Sequence, residues 1–225
     1  MVQFSGSGLC GALAALALLA GCGGGGLAVT TPPPTNPTTP TTPTVPIGTP
    51  VVTGDTAAEK FAAANALVST YAATVPIAYT PLSSVPTTGI ARYSGVLFGD
   101  VSRNSTISAR LIGDFAATVT FSAQSVAMSG AATNFVDSDD TVFSGSLTLS
   151  SAALDRAGNP ANNPTLSALL NGTLTPAGGA AMQFGGRIEG DFLGATHGGI
   201  GGDVLGRITS GGVNSDFDGG FIAGR

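Results

Sequence analysis

Cysteine is almost missing from this chain. Two are present, Cys10 and Cys22, and none follows residue 22. A disulfide framework for whatever folds downstream is thereby excluded. Basic side chains are also sparse: eight Lys and Arg stand against thirteen Asp and Glu, giving a formal charge of −5, and no two basic residues adjoin. No phosphate-tracking patch can be assembled from them, so nucleic acid is excluded as a partner. Tryptophan is absent and tyrosine occurs three times, too few for the aromatic girdles of a membrane-spanning barrel. No apolar run reaches the roughly 20 residues that a spanning helix needs. No Ser-His-Asp arrangement, supported carboxylate pair, P-loop or dinucleotide fingerprint occurs, so no enzyme is expected.

What is abundant is glycine, 34 of 225 residues, together with Thr, Val and Phe. Each interior glycine weakens a helix by about 1 kcal/mol relative to alanine, whereas the β-branched and aromatic residues suit strands. An all-β domain follows.

The N-terminus reads as an address. Residues 9–20, LCGALAALALLA, form an uncharged apolar run suited to a signal-peptide core. It ends in Leu19-Ala20-Gly21-Cys22, which resembles the lipobox of bacterial lipoproteins. That resemblance implies a signal peptide over 1–21 and an acylated Cys22 as the first mature residue. Gly23 rather than Asp follows the cysteine, which implies the outer membrane. Residues 22–54 are rich in Gly, Pro and Thr, with prolines at 32, 33, 34, 37, 40, 43, 46 and 50. They predict a disordered, semi-rigid tether of polyproline-II character.

Residues 55–73, DTAAEKFAAANALVSTYAA, predict the one helix, within a segment 55–75. Asp55 or Thr56 can cap it, and Phe61, Leu67, Val68 and Tyr71 lie near the face expected to pack on the domain that follows. From 76 to 225 eight strand patterns succeed one another, at about 89–99, 106–122, 124–136, 141–152, 165–175, 180–194, 199–209 and 214–225. Short connections between them predict an antiparallel meander. The expected fold is therefore a soluble, eight-stranded, up-and-down β-barrel with one short N-terminal helix.

Glycine placement supports closure. In the sixth pattern Phe184, Gly186, Ile188, Gly190 and Phe192 share one face, and Gly185, Arg187, Glu189, Asp191 and Leu193 the other. The eighth repeats this with Phe217, Gly219, Phe221 and Ala223, the fourth with Phe143, Gly145, Leu147 and Leu149. A small barrel has room inside for side chains only if bulky and empty positions alternate. The apolar face is therefore expected inside and the charged face in water.

Gly-Asp-Phe-Leu-Gly at 190–194, Gly-Gly-Ile-Gly-Gly-Asp-Val-Leu-Gly at 198–206 and Phe-Asp-Gly-Gly-Phe-Ile-Ala-Gly-Arg at 217–225 are similar to the barrel motifs of transferrin-binding protein B. Gly89, Ala91, Tyr93 and Gly95 approximate its upstream pattern. The chain resembles the single-barrel, transferrin-binding protein-like solute-binding lipoproteins of bacteria. The resemblance implies a lipid-anchored binding protein that meets a protein or iron-containing ligand, with a TonB-dependent receptor as a possible partner. The handle domain of the two-lobed transferrin binder has no counterpart here, so transferrin itself is not implied. The alternative reading is a structural envelope lipoprotein without a soluble ligand.

Loops carry recognition on such scaffolds. The longest connection, 155–164, offers Asp155, Arg156, Asn159, Asn162 and Asn163; the turn between the sixth and seventh strands offers Thr196 and His197. His197 is the only histidine, and it is expected to be a solvated loop residue rather than a haem or metal ligand. Asp137, Asp139 and Asp140 lack calcium-loop spacing and predict a polar hairpin. No cofactor and no metal are expected.

Overall fold

The structure is a computed structural model, and it describes residues 54–71, 79–80, 82–151, 154–155, 166–194 and 196–225. The expected leader at 1–21, Cys22 and the expected tether as far as residue 53 lie outside the described residues. So do Arg156, Asn159, Asn162 and Asn163.

Helix α1 spans Ala57–Tyr71, and a short 3-10 turn covers Leu82–Ser84. The strands are β1 Gly89–Arg103, β2 Thr106–Phe121, β3 Ser125–Asp137, β4 Val142–Ser151, β5 Leu154–Asp155, β6 Leu166–Pro176, β7 Met182–Leu193, β8 Gly199–Ser210 and β9 Val213–Gly224. Every pairing is antiparallel, each long strand pairs with the next, and β1 pairs with β9. The eight long strands form a closed barrel. The two-residue β5 adds Asp155 opposite Ser125 and Leu154 opposite Val126 on β3. Asp155, expected to open a loop, therefore has its backbone in a ladder.

The interior is apolar and filled. Alternate residues of each strand, such as Leu97, Phe115, Met128, Leu147, Leu170, Ile188, Val204 and Phe221, are buried in one cluster. Glycine makes room for the rings. A Cβ at Gly190 would lie 2.8 Å from the Phe221 ring, and one at Gly206 would lie 2.7 Å from that of Phe184. The Phe184 and Phe217 rings in turn meet edge-on at 5.1 Å. Gly145 departs from the expected pattern. It is exposed with φ +100°, beside an irregularity in the β3–β4 ladder between Ala132 and Phe135. It serves backbone conformation, not interior packing.

Outside, Arg92, Arg110, Arg187, Arg207, Asp216 and Asp218 are exposed, the reverse of a lipid-facing barrel. One strip of the wall is different. Val96, Ile112, Val136, Leu193 and Ile222 face outwards yet are buried beneath Ala57, Ala64 and Leu67 of α1. Phe61 packs on Phe98 with ring centres 6.3 Å apart. Val68, expected on that face, is 43% exposed, and buried Lys60 takes part in the contact instead. Asp191 and Leu193, expected on a water-facing side, are buried too.

The helix is capped at both levels of structure. Thr56 Oγ1 accepts from Glu59 N at 3.3 Å while Glu59 Oε2 accepts from Thr56 N at 3.1 Å, a reciprocal capping box. This hydrogen bonding holds the Glu59 carboxyl below its usual range. Asp140, in the β3–β4 turn, accepts from Ala57 N at 2.7 Å. The acidic turn is thus a polar hairpin whose third aspartate anchors the start of α1.

Candidate functional site

Strand direction sorts the connections between two barrel ends. The β3–β4 turn that holds the start of α1 shares its end with the β1–β2, β6–β7 and β8–β9 hairpins. The β2–β3 turn, the end of β4 with the start of β6, and the end of β7 with the start of β8 lie at the opposite end. The described residues of both stretches singled out for recognition, Asp155 and Thr196–His197, therefore belong to one end, and Tyr71, the last residue of α1, reaches it. Its ring lies so near Gly199 that a Cβ there would fall 2.7 Å away.

The 194–198 turn is built by positive backbone angles, φ +76° at Gly194 and +48° at His197. Its two flanks are fastened. Thr80 N donates to Phe192 O at 2.9 Å, Thr80 Oγ1 donates to Gly194 O, and Arg225 N donates to Gly198 O at 3.0 Å. The turn's crown is held by Tyr93, whose hydroxyl donates to the carbonyl of His197 at 2.9 Å. Thr196 is exposed at the tip.

His197 is half-buried, not solvated. Its imidazole meets the rings of Phe121 and Phe192 edge-on, at 6.1 and 6.4 Å. Phe121 ends β2 and Phe192 lies near the end of β7, on opposite walls of the eight-membered ring of strands. The two phenyl rings also touch, 5.7 Å apart, and Tyr93 stacks obliquely on Phe192 at 6.3 Å. His197 thus sits across the barrel end as its closing layer, which explains why the expectation of a solvated residue fails. Its Nδ1 is buried, and no group among the described residues hydrogen-bonds to it. A buried polar atom left so destabilises a fold by about 1–3 kcal/mol.

Electrostatics keep this layer neutral. Burial holds the imidazole below the ordinary histidine range, and the positive charge of Arg225 adds to the effect. Burial pushes the Tyr93 hydroxyl well above the usual tyrosine range, against the opposing pull of Arg225 and with a further push from Tyr71. The hydroxyl therefore stays protonated and remains a donor to the turn. Among the described residues no three His, Cys, Asp or Glu side chains gather as a metal site.

Of the residues singled out in the sequence, Thr196, His197 and the backbone of Asp155 are placed at this end. The β2–β3 turn links them: Ser125 pairs with Asp155, while Phe121 packs against His197. Tyr93, Phe121, Phe192, Thr80 and Arg225 were not legible as partners of the turn. Tyr93 and His197 stand 104 residues apart in the chain, and only closure of the barrel brings them together. No family model, curated protein or solved structure matches this chain.

Proposed function

We propose that the chain is a lipid-anchored bacterial envelope protein of the transferrin-binding protein B-like barrel type, acylated at Cys22 and placed in the outer membrane. It binds a protein or iron-containing ligand through loops at one barrel end. The observation that carries this reading is the segregation of the two ends. The strand ends that flank 152–165 lie at the same end as Thr196 and His197, while α1 starts at the other. An anchored domain so built has the strand ends that flank its longest connection opposite that start. Because the interior is filled with side chains, recognition belongs to loops and not to a lipocalin-like cavity.

Two measurements test this. Acyl labelling of the full chain and of Cys22→Ser examines the anchor: label and membrane retention should both be lost in the variant. Affinity capture from host or culture fluid, with the anchored protein as bait, examines recognition. Saturable capture of one protein or iron complex supports a binding role, and a TonB-dependent receptor is one candidate. Capture of nothing at any loading favours a structural envelope component.

A further inference from the structure

We infer that the barrel end at which α1 starts seats on the surface of a phospholipid bilayer, through the tips of three neighbouring hairpins. This rests on the reading of Cys22 as an acylated anchor and supplies the orientation of the anchored domain.

The four hairpins of that end are of two kinds. Asp137, Asp139 and Asp140 crowd the β3–β4 turn, and Asp55 and Glu59 flank Ala57, which Asp140 holds. The other three hairpins, β1–β2, β8–β9 and β6–β7, follow one another round the ring of strands. Their tips, at 103–106, 210–213 and 176–182, contain no acidic residue. Exposed apolar side chains stand on each: Ile107 just past the first, Val213 on the second, Ala177, Ala180 and Ala181 on the third. Arg103 is the single charge on the three tips. It is exposed, and it makes no ion pair among the described residues.

Two observations select lipid as the occupant. The first is position. α1 starts at this end, and Cys22 precedes α1 in the chain, so the anchored chain enters the domain on this side. At about 3.1 Å per residue when extended, residues 22–53 are too long to seat the domain by themselves. They do raise the local concentration of this end at the bilayer, so that a surface too small to bind lipid from solution suffices.

The second is the pattern itself. A stable protein interface covers about 800 Å² per partner around a contiguous apolar core. Aliphatic side chains set apart on three separate tips make no such core, whereas a fluid surface receives each tip separately. The aliphatic groups enter the boundary between headgroups and acyl chains, the uncharged turns meet the headgroups, and Arg103 meets their phosphates. The acidic hairpin beside them sets a limit: zwitterionic phospholipid fits this end, and a strongly anionic leaflet does not. So seated, the barrel turns Thr196 and His197, at its other end, away from the membrane.

Tryptophan is absent from the chain, so one substitution supplies a single indole probe. Val213→Trp reports from the second tip, and Ile90→Trp, at an exposed position of the opposite end, is the control. The acylated chains are placed in phosphatidylcholine vesicles with and without bromine on the acyl chains. Bromine should quench the emission of Val213→Trp, which vesicles should also shift to the blue, and leave that of Ile90→Trp unchanged. Ile107→Trp, on the neighbouring hairpin, should behave as Val213→Trp does, and it decides if Val213→Trp does not fold. Quenching of both ends, or of neither, overturns the inference. So does a blue shift without lipid: one independent of dilution means that the chain itself covers the tips, and one lost on dilution means that a second copy does. If Cys22 carries no acyl chain, the anchor reading fails. The same measurement on Cys10→Ser chains, coupled through Cys22 to a maleimide-bearing lipid, then decides the seating by itself.

Discussion

The ammonium of Lys60, only 2% exposed on the barrel side of α1, is ion-paired with the Asp114 carboxylate of β2. The other oxygen of Asp114 accepts from Asn134 Nδ2 at 2.8 Å. Removing one partner of a buried pair leaves an uncompensated charge and destabilises by about 3–5 kcal/mol. Asp114 is itself 30% exposed, so Asp114→Ala belongs at the lower end, about 3 kcal/mol. Lys60→Met, which removes the charge and keeps the apolar stem, should cost less. Exchange protection of 57–71 should fall further in the first variant than in the second.

The interior glycines give a second ordering. A Cβ at Gly190 would lie 2.5 Å from the carbonyl oxygen of Gly201 and 2.8 Å from the Phe221 ring, whereas at Gly185 the nearest atom is Asn171 Oδ1 at 3.5 Å. Gly190→Ala should destabilise by about 1–3 kcal/mol or more through overpacking. Gly185→Ala, on the outer face of the same strand, should stay within about 0.5 kcal/mol. Denaturant midpoints in the reverse order would mean that the faces are inverted.

Asp140 predicts a cap effect at a distance. Asp140→Ala removes the acceptor for Ala57 N and should destabilise the first turn of α1 by about 0.5–2 kcal/mol. Asp140→Asn keeps an acceptor and a side chain that accepts positive φ, and should recover most of that. Helix ellipticity and exchange at 57–60 report the difference.

On the open wall, Arg110 Nε and Nη2 donate to Asp100 at 2.6 and 3.1 Å, and Asp218 is the cross-strand partner of Asp100. The guanidinium hydrogen bonds hold the Asp100 carboxyl below its usual range. With the folded value depressed, the pair's contribution is present above the ordinary 3.8 and is lost as pH falls through the folded value. The pair is exposed, so Arg110→Ala should cost at most about 1 kcal/mol at pH 7. That cost should shrink in 1 M salt and vanish in strong acid, as thermal melts in each condition would show.

The loop prediction concerns recognition. Shortening 156–164 to Asn-Gly, which keeps Asp155 in its ladder with Ser125, should leave circular dichroism and melting nearly unchanged, because closure entropy varies only logarithmically with loop length. Affinity for whatever partner is captured should fall by about tenfold, about 1.4 kcal/mol. If binding survives that change together with His197→Ala, recognition lies on the barrel wall or on α1.

The barrel was legible because its signal is local. Period-two alternation and hairpin turns such as Gly211-Gly212 appear within a dozen residues of each other, and all eight long strands were expected within a few residues. What escaped reading depends on contacts between distant segments. Asp191 alternates as an outward residue, yet it is buried. Val96, Ile112 and Ile222 face outwards and are apolar because α1 covers that strip of wall. Nothing near Lys60 in the sequence announces its ion pair with Asp114, 54 residues away, and Asp140 was read only as part of a polar hairpin. The same holds for His197: its turn was visible in the sequence, its two ring partners from opposite walls were not.

The pairing of β1 with β9 carries a kinetic consequence. Val96 lies opposite Ile222, so the ladder that closes the sheet joins the beginning and the end of the domain. Contacts of such separation are slow to form, since loop-closure entropy is lost before they reward it. Until β9 docks, β1 and β8 both present unpaired edges, the arrangement most prone to pairing with another chain. During folding the barrel therefore has no protected intermediate with a finished perimeter, and its vulnerable interval ends only when β9 is in place.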